Sequence, residues 1–593
     1  MDDNAITRLR WWLIPLVIFY VVVATLILVQ LGSTPFVKLP IIDAETYHIW
    51  AIQIMRGHLT PHEPFFLSPL YPVLLGILYL VTGPSPAAAM VVQMFMGVGI
   101  LWILYQTAAR AFRPSIAIMA VMILVVYGPF YYFGDTLLSA TLILFLNTLL
   151  LWMLWTRHDD ARWWIWVLIG VIGGLSALAR PNIFIFLGLL FIPLMAWQGR
   201  SGWKKWGMVW IGVGILVAPV VVRNTIVGRD FTWTTTTAGI NIYIGNHLHS
   251  TGTYTEAPFV MSADARNEAD GYRLEAEKRT GKSMTAAAAS QYWLGQTIKD
   301  IFGHPVQYLR LTGHKIFLFF HRVEAPTNIS YYGARAHSPL LHSFVVDMGL
   351  LMPLALGGLV ISLRRARTYL VFYVYVFSYL LANLLFFVAS EYRFPVVGVL
   401  SIFGAMFLVE IFRLFTERRF GWIAASVVVY FAALGLANHQ TEFTRTLASP
   451  RMDYFNLGST LVKWGHSQEA GLQFQKALAE DPDFQEAHVQ LGWCYLDIGE
   501  TDQAEEEFRR ANVPMPQVTE WSRRDSLLQE SERQLQARDF KAALRTMEEC
   551  VSEWQSPPFW IYQDLADLYR LNQDFVNADK YDRLAQMSRN INY

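Results

Sequence analysis

Asp43, Glu45 and Asp135 are acids placed where apolar runs end, and Arg180, Arg223 and Arg393 are arginines placed at the ends of others. Planar guanidinium groups grip phosphate through paired hydrogen bonds, so three of them beside carboxylates point to an anionic, phosphate-bearing ligand. In DAETYHIWA, residues 43–51, helical spacing puts Asp43, Tyr47 and Ala51 on one face and turns Glu45 to another. Its neighbours are apolar or aromatic, which restricts water at Asp43, and acids at membrane depth mark functional sites more often than solvated ones. For any one arginine the plainer alternative is snorkelling to lipid headgroups.

The elements that must position these groups are membrane helices. A bilayer core about 30 Å thick needs roughly 20 apolar helical residues. Such runs, some slightly short, recur near 11–32, 87–109, 115–133, 136–155, 163–179, 183–198, 206–222, 346–362, 368–389, 394–414 and 420–437. With 54% hydrophobic and 16% charged residues among 593, an ordinary soluble enzyme is excluded. The zero formal net charge hides charges crowded into 223–345 and 451–593. The first run reads as a retained helix, because it exceeds a signal-peptide core and residues 29–33, VQLGS, lack a small-x-small cleavage site. Residues 70–82, LYPVLLGILYLVT, are too short to span and are expected to lie along the outer interface.

Basic residues set the expected sidedness. Arg8/Arg10, Arg110/Arg113, Arg157/Arg162, Arg200/Lys204/Lys205, Arg364/Arg365/Arg367 and Arg413/Arg418/Arg419 share one face if about 11 helices alternate from a cytoplasmic N-terminus. The opposite face receives the 33–86 loop, the Gly134-Asp135 turn, the large 223–345 loop, the Glu391 to Arg393 turn and the C-terminal tail.

From about residue 451 the chain repeats itself. Leu457-Gly458, Ala470, Phe474, Ala477 and Pro482 recur 34 residues later as Leu491-Gly492, Ala504, Phe508, Ala511 and Pro516, with Tyr495 added. A weaker unit holds Ala543 and Met547, and a fourth holds Leu565-Ala566, Tyr569, Ala578 and Ala585. This is the tetratricopeptide pattern, in which small residues let paired helices approach, and it predicts a docking or stabilising domain over 451–593 rather than a catalytic one. Its Cys494 and Cys550 read as core residues rather than a bridge.

His48, His58, His62, His304, His314, His321 and His337 show no metal-ligand spacing. RTGKS at 279–283 mimics the end of a phosphate-binding loop, but Ala276 stands where its first glycine is required. Nothing suggests nucleic acid.

Taken together, DAETYHIWA, SPLYP at 68–72, GDTLLSATL at 134–142, ALARPN at 177–182, RNTIVGRDFTWTTTTAGINIYIGN at 223–246, HPVQYLRLTGHKIFLFF at 304–320 and EYRFP at 391–395 resemble the GT-C glycosyltransferases. The likeness is to the family 39 and RgtA/B/C/D-like branch, relatives of protein O-mannosyltransferases and the lipid A aminoarabinose transferase, and it covers about 33–400. It implies an all-α fold: a polytopic transmembrane GT-C domain over 1–438, followed by a soluble α-solenoid.

The resemblance also implies an activity, the transfer of a sugar from a polyprenyl-phosphate-linked donor to an extracytoplasmic lipid, glycan or protein. Asp43 matches the proposed general base, Asp135 the second outer-loop acid, and Asp43-Ala44-Glu45 a relaxed paired-acid motif in which Glu45 points away. Arg180, Arg223 and Arg393 would hold the leaving phosphate, with Lys315 and Arg322 as further candidates. Tyr47, His48, Tyr71 and Glu391 would line the substrate pocket. A divalent cation, Mg or Mn, bridging Asp43 and phosphate is the one cofactor left open. Asp at 135, where the relatives would carry Glu, and the appended repeats depart from the pattern. The implied location is the inner or plasma membrane with the repeats extracytoplasmic, where they could also recruit a protein partner. A polar-lipid transporter or flippase would instead place its ionisable groups near the midplane. A scaffold acting through its repeats would not explain why outward acids and arginines recur.

Overall fold

The computed structural model describes residues 11–32, 34, 40–57, 63–255, 265–463, 466–513, 527, 530–531, 533–535, 539–552, 559–572, 574, 577–578 and 580–581. Arg8, Arg10, His58, His62, Pro516 and Ala585 lie outside them. The described backbone is helical, with no strand and one isolated bridge between Tyr127 and Val346. It divides into a larger unit, Met1–Thr255 with Ser283–Thr460, and a smaller one, Glu256–Lys282 with Leu461–Tyr593. The division falls at 460/461, inside the helix Arg451–Lys463.

In the larger unit Leu13–Gly32, Pro86–Ala111, Ser201–Gly228, Met348–Arg365, Ser390–Thr416 and Phe420–Ala437 are long and apolar enough to cross a bilayer. The first, third and last turn Phe19, Val22, Ile211, Ile215, Val428 and Phe431 outward. Outward apolar faces of this extent suit lipid, not water. Ser390–Thr416 is buried along most of its length and packs against Pro114–Val125 and Met348–Ser362.

Two runs expected as single spans are broken, each by a proline. Residues 115–133 divide into Pro114–Val125 and Gly128–Gly134, because Pro129 has no N–H for the Val125 carbonyl. Residues 183–198 divide into Ile183–Leu189 and Phe191–Gln198, because Pro193 cannot bond back to Leu189. The short Leu70–Thr82 helix packs on Asp43–Met55, and both follow the first span.

Close approach depends on glycine at the crossing of Trp163–Ala179 and Ser201–Gly228. A Cβ on Gly170 would strike the Val209 carbonyl, and one on Gly212 would strike that of Val167. Without a hydrophobic force between helices in lipid, such backbone contact supplies the packing.

In the smaller unit Ser467–Glu480, Gln485–Asp497 and Thr501–Arg510 pack in succession, burying Ala470, Phe474, Ala477, Ala504 and Phe508. A Cβ on Gly492 would come within 3.0 Å of the Phe508 ring, so the glycine admits that ring. Phe540–Ser552 and Phe559–Leu571 form a second pair around Ala543, Met547, Cys550 and Leu565. Cys494 and Cys550 are buried. The architecture is therefore a polytopic helical membrane domain followed by a repeat solenoid.

The Gly170→Val substitution forces the two crossing helices apart and is expected to cost about 1–3 kcal/mol, the usual penalty of overpacking. The thermal midpoint of purified protein in detergent measures it, and an unchanged midpoint would refute the close crossing.

Candidate active site

The chain enters the Asp43–Met55 helix through a sharp turn. Ile42 has φ 58 and ψ −125, and the Ala44 N–H closes the turn on the Ile41 carbonyl at 3.2 Å. Those angles are those of the first central residue of a type II′ turn, where glycine is at ease and a β-branched residue is strained. The strain sits directly before Asp43, and held strain of this kind clusters at functional positions.

Asn328 holds Asp43 at two points. The Asp43 backbone N–H donates to Asn328 Oδ1 at 3.1 Å, and Asn328 Nδ2 donates to Asp43 Oδ2 at 3.1 Å. The same Nδ2 reaches Thr327 Oγ1 at 3.4 Å, and that hydroxyl donates to Glu391 Oε2 at 3.5 Å. The other oxygen of Glu391 accepts from Arg180 Nη2, which also reaches Ser139 Oγ at 3.5 Å. The Arg180 guanidinium lies over the Tyr392 ring, 4.8 Å from its centre. Tyr47 is buried among these groups, hydrogen-bonded with Ser139. Burial, then the nearby Asp43 carboxylate, pushes its pKa up. Asp43, Tyr47, Arg180 and Glu391 are thus brought into one polar chain, and within it the buried Arg180 Nη1 donates to nothing.

The loop that carries Asn328 is fixed residue by residue. Thr327 meets Glu391, Asn328 meets Asp43, and the Ile329 carbonyl accepts from Tyr132. Ser330 donates its N–H to Asp453 Oδ1 at 2.6 Å and its hydroxyl to the other oxygen of the same carboxylate. Asp453 is buried, and burial raises its pKa to about 6.

Asp135 stands apart from the chain. It lines a hollow of about 40 Å³ with Leu31, Ile41, Met90, Leu138 and Asn328. Its Oδ2 is buried without a partner, and burial lifts its pKa well above the carboxylate range. Gln93 Nε2 brackets the turn on both sides, donating to the carbonyls of Gly134 at 2.9 Å and Thr136 at 2.8 Å. Tyr71 donates to Gln93 Oε1 at 2.9 Å and meets Tyr47 edge-on, with ring centres 5.2 Å apart. His48 turns instead to the Tyr79 hydroxyl at 2.7 Å, on the side facing Leu70–Thr82. Glu45 is half-buried on another face of the Asp43–Met55 helix.

The remaining cations expected to hold phosphate stand outside this hydrogen-bonded chain. Arg393 is buried; its Nη1 donates to the carbonyls of Leu318, Phe319 and His321, and its Nη2 to that of Val323 and, at 3.0 Å, to Glu324 Oε2. Glu324 also accepts from Tyr127 at 3.1 Å; burial pushes its pKa up, against the pull of Arg393. Lys315 gives its three donors to Asn246 Oδ1 and the carbonyls of Leu384 and Phe386, at 2.7–2.9 Å. Burial draws its pKa down to about 7, yet three acceptors use all three hydrogens of the ammonium form. Arg223 stacks at 4.1 Å on Phe65 and donates to Asn224, and Arg322 pairs with Asp347 at 2.7 Å. Arg393 and Lys315 therefore depart from the expectation: they are internal clamps, Lys315 with every donor used and Arg393 with only its inner Nε unpaired.

Asn328, Thr327, Ser139, Gln93 and Glu324 were not singled out in the sequence. Asn328 lies 285 positions from Asp43, and no spacing rule links them. Among the described residues no group of three His, Cys, Asp or Glu side chains gathers as metal ligands.

Residues 62–226 match the family model of dolichyl-phosphate-mannose-protein mannosyltransferase, and residues 465–523 match that of the tetratricopeptide repeat. No curated protein matches the chain. Among solved structures, the apo oligosaccharyltransferase of Archaeoglobus fulgidus is similar at 14% identity and a TM-score of 0.42, over 92% of this chain and 60% of that one. ArnT from Cupriavidus metallidurans, bound to undecaprenyl phosphate, is similar at 14% identity and a TM-score of 0.32, over 67% of this chain and 78% of its own. The chain spans about three fifths of the length of the archaeal enzyme.

Arg393→Ala leaves the buried Glu324 without its counter-charge, with the Tyr127 hydroxyl as its remaining side-chain partner, a loss of about 3–5 kcal/mol. The thermal midpoint should fall steeply, and Arg393→Lys should recover only part of it, since an ammonium lacks the planar fork. A wild-type midpoint in Arg393→Ala would refute the clamp.

Proposed function

We propose that the chain is a membrane glycosyltransferase of the GT-C type, moving a sugar from a polyprenyl-phosphate-linked donor to a hydroxyl of a lipid, glycan or protein. The single observation that carries this reading is Arg180 Nη1, a buried donor without a partner in the same hydrogen-bonded chain as Asp43. A buried donor left unpaired is costly, and an anionic oxygen satisfies it. The mannosyltransferase family match over 62–226 supports the reaction class and the phosphate-linked donor.

The acceptor oxygen attacks the anomeric carbon while the bond from that carbon to the phosphate oxygen breaks, and the electron pair leaves with the polyprenyl phosphate. The acceptor's proton passes to Asp43, whose carboxylate Asn328 holds in direction. Arg180, itself steadied by Glu391 and Tyr392, donates Nη1 to the phosphate oxygen as negative charge grows there. Asp135, whose neutral form burial favours and whose Oδ2 has no partner, serves as a hydrogen-bond donor in the adjoining hollow rather than as a second base. Glu45 is left outside the reaction. A divalent cation fits here only through Asp43 together with the donor's own phosphate oxygens.

The basic loops support a cytoplasmic N-terminus with this site and the repeats on the extracytoplasmic side of the inner or plasma membrane. The repeats suit docking of a protein partner rather than chemistry.

The test is mass spectrometry of lipid-linked sugars and envelope glycans in a strain lacking the chain, complemented with variants matched for membrane level. Asp43→Asn should lower product at least about 100-fold, as expected for loss of a general base. Arg180→Ala should cost about 100- to 1,000-fold, the scale of a lost charge-stabilising donor. Asp135→Asn, which keeps a neutral donor, should stay within about 10-fold of wild type, since it changes no base. Wild-type product from Asp43→Asn would overturn the assignment.

A further inference from the structure

A second polar hollow lies at the far end of the same helices. Arg413 follows Arg393 by roughly 20 positions along Ser390–Thr416, about 30 Å of helix, so this hollow opens on the opposite side of the membrane domain. It measures about 50 Å³ and gathers Arg113, Arg364, Arg365 and Arg413 with Glu410 and Tyr369.

The internal partners of these arginines do not use them up. Glu410 is buried and takes Arg413 Nη1 at 3.0 Å and Arg113 Nε at 3.6 Å. Glu417, beside the hollow, takes Arg413 Nε at 2.7 Å and Arg364 Nη2 at 3.8 Å. Arg365 shares a side-chain hydrogen bond with the Tyr369 phenol, which carries no charge. Four guanidinium groups thus face two carboxylates, and the Arg113 and Arg364 contacts, at 3.6 and 3.8 Å, lie well beyond the 2.7–2.9 Å of a charge-assisted hydrogen bond. The Arg113 and Arg364 forks are loosely held and can turn onto an anion, for which the excess of positive charge calls.

The surroundings define what kind of anion. Phe112 and Met406 form an apolar wall of the hollow. Leu363, Phe412, Phe415 and Phe420, at the ends of the same helices, are exposed large apolar side chains. Rings at helix ends belong to the boundary between headgroups and acyl chains. A ligand seated here meets guanidinium groups inside and hydrocarbon outside, which is the chemistry of a phospholipid and not of a free ion.

We propose that this hollow binds the phosphate headgroup of an anionic phospholipid from the leaflet opposite the candidate active site. The proposal rests on the membrane domain alone, so it stands or falls independently of the transferase reading. Full-length protein in detergent would be mixed with phosphatidylglycerol, phosphatidylcholine or inorganic phosphate and examined by native mass spectrometry, with thermal midpoints recorded alongside. Expected are retention of phosphatidylglycerol over phosphatidylcholine and a loss of retention of at least about 10-fold in Arg364→Ala/Arg365→Ala, given two lost bonds to a charged group. Arg113→Gln, a milder change, should move retention the same way should the double variant fail to fold. Arg509→Ala, an exposed arginine of the repeat unit, should leave it unaltered. Equal retention of the two lipids, undiminished retention in folded variants, or protection by inorganic phosphate without lipid retention would each overturn the proposal.

Discussion

Arg393 closes a helix that is not its own. The Pro305–Phe320 helix ends with carbonyls that have no partner within it, and the Arg393 guanidinium takes those of Leu318 and Phe319 together with those of His321 and Val323. Its remaining reach goes to Glu324, so the strand of chain leaving the helix is pinned at both its start and its first charged residue. Two residues before Arg393, on the same turn, Glu391 holds Arg180 and accepts from Thr327. Ser390 adds its hydroxyl and N–H to the Ala325 carbonyl at 2.7 and 2.9 Å. One short turn of backbone therefore fixes both the loop that steadies Asp43 and the arginine left with an open donor.

This arrangement separates cations that look alike in the sequence. Arg180, Arg223, Arg393 and Lys315 all sit near helix ends, and each is a reasonable anion ligand by residue type. What distinguishes them is the supply of carbonyl oxygens around each. Lys315 and Arg393 face chain ends rich in unpaired acceptors, which absorb every strong donor of the first and nearly every one of the second. Arg180 faces a carboxylate, a hydroxyl and a ring, which leave its terminal Nη1 over, whereas Arg393 keeps back only its inner Nε.

The membrane helices were legible because apolar length is written locally, and the repeats because small residues recur at a fixed interval. The breaks at Pro129 and Pro193 were written locally too, in a residue whose missing N–H interrupts an otherwise continuous apolar run. Asp43, Tyr47, Arg180 and Glu391 could be named in advance because charge and aromaticity next to apolar runs stand out. Asn328 and Thr327 could not: they are ordinary polar residues in a loop, and only the fold brings them to Asp43 and Glu391. Burial is equally silent in sequence, so Lys315 and Arg393 read as surface cations until their neighbours are known.

Asp453 sets a condition on how the chain is made. It satisfies the buried N–H and hydroxyl of Ser330 from 123 positions further on, and Asn328 finds Asp43 across 285. A ribosome that has delivered every apolar span has still not supplied the carboxylate that seats the loop at 327–330. The polar wall beside Asp43 is therefore among the last parts of the membrane domain to close during synthesis, well after its helices have entered the bilayer.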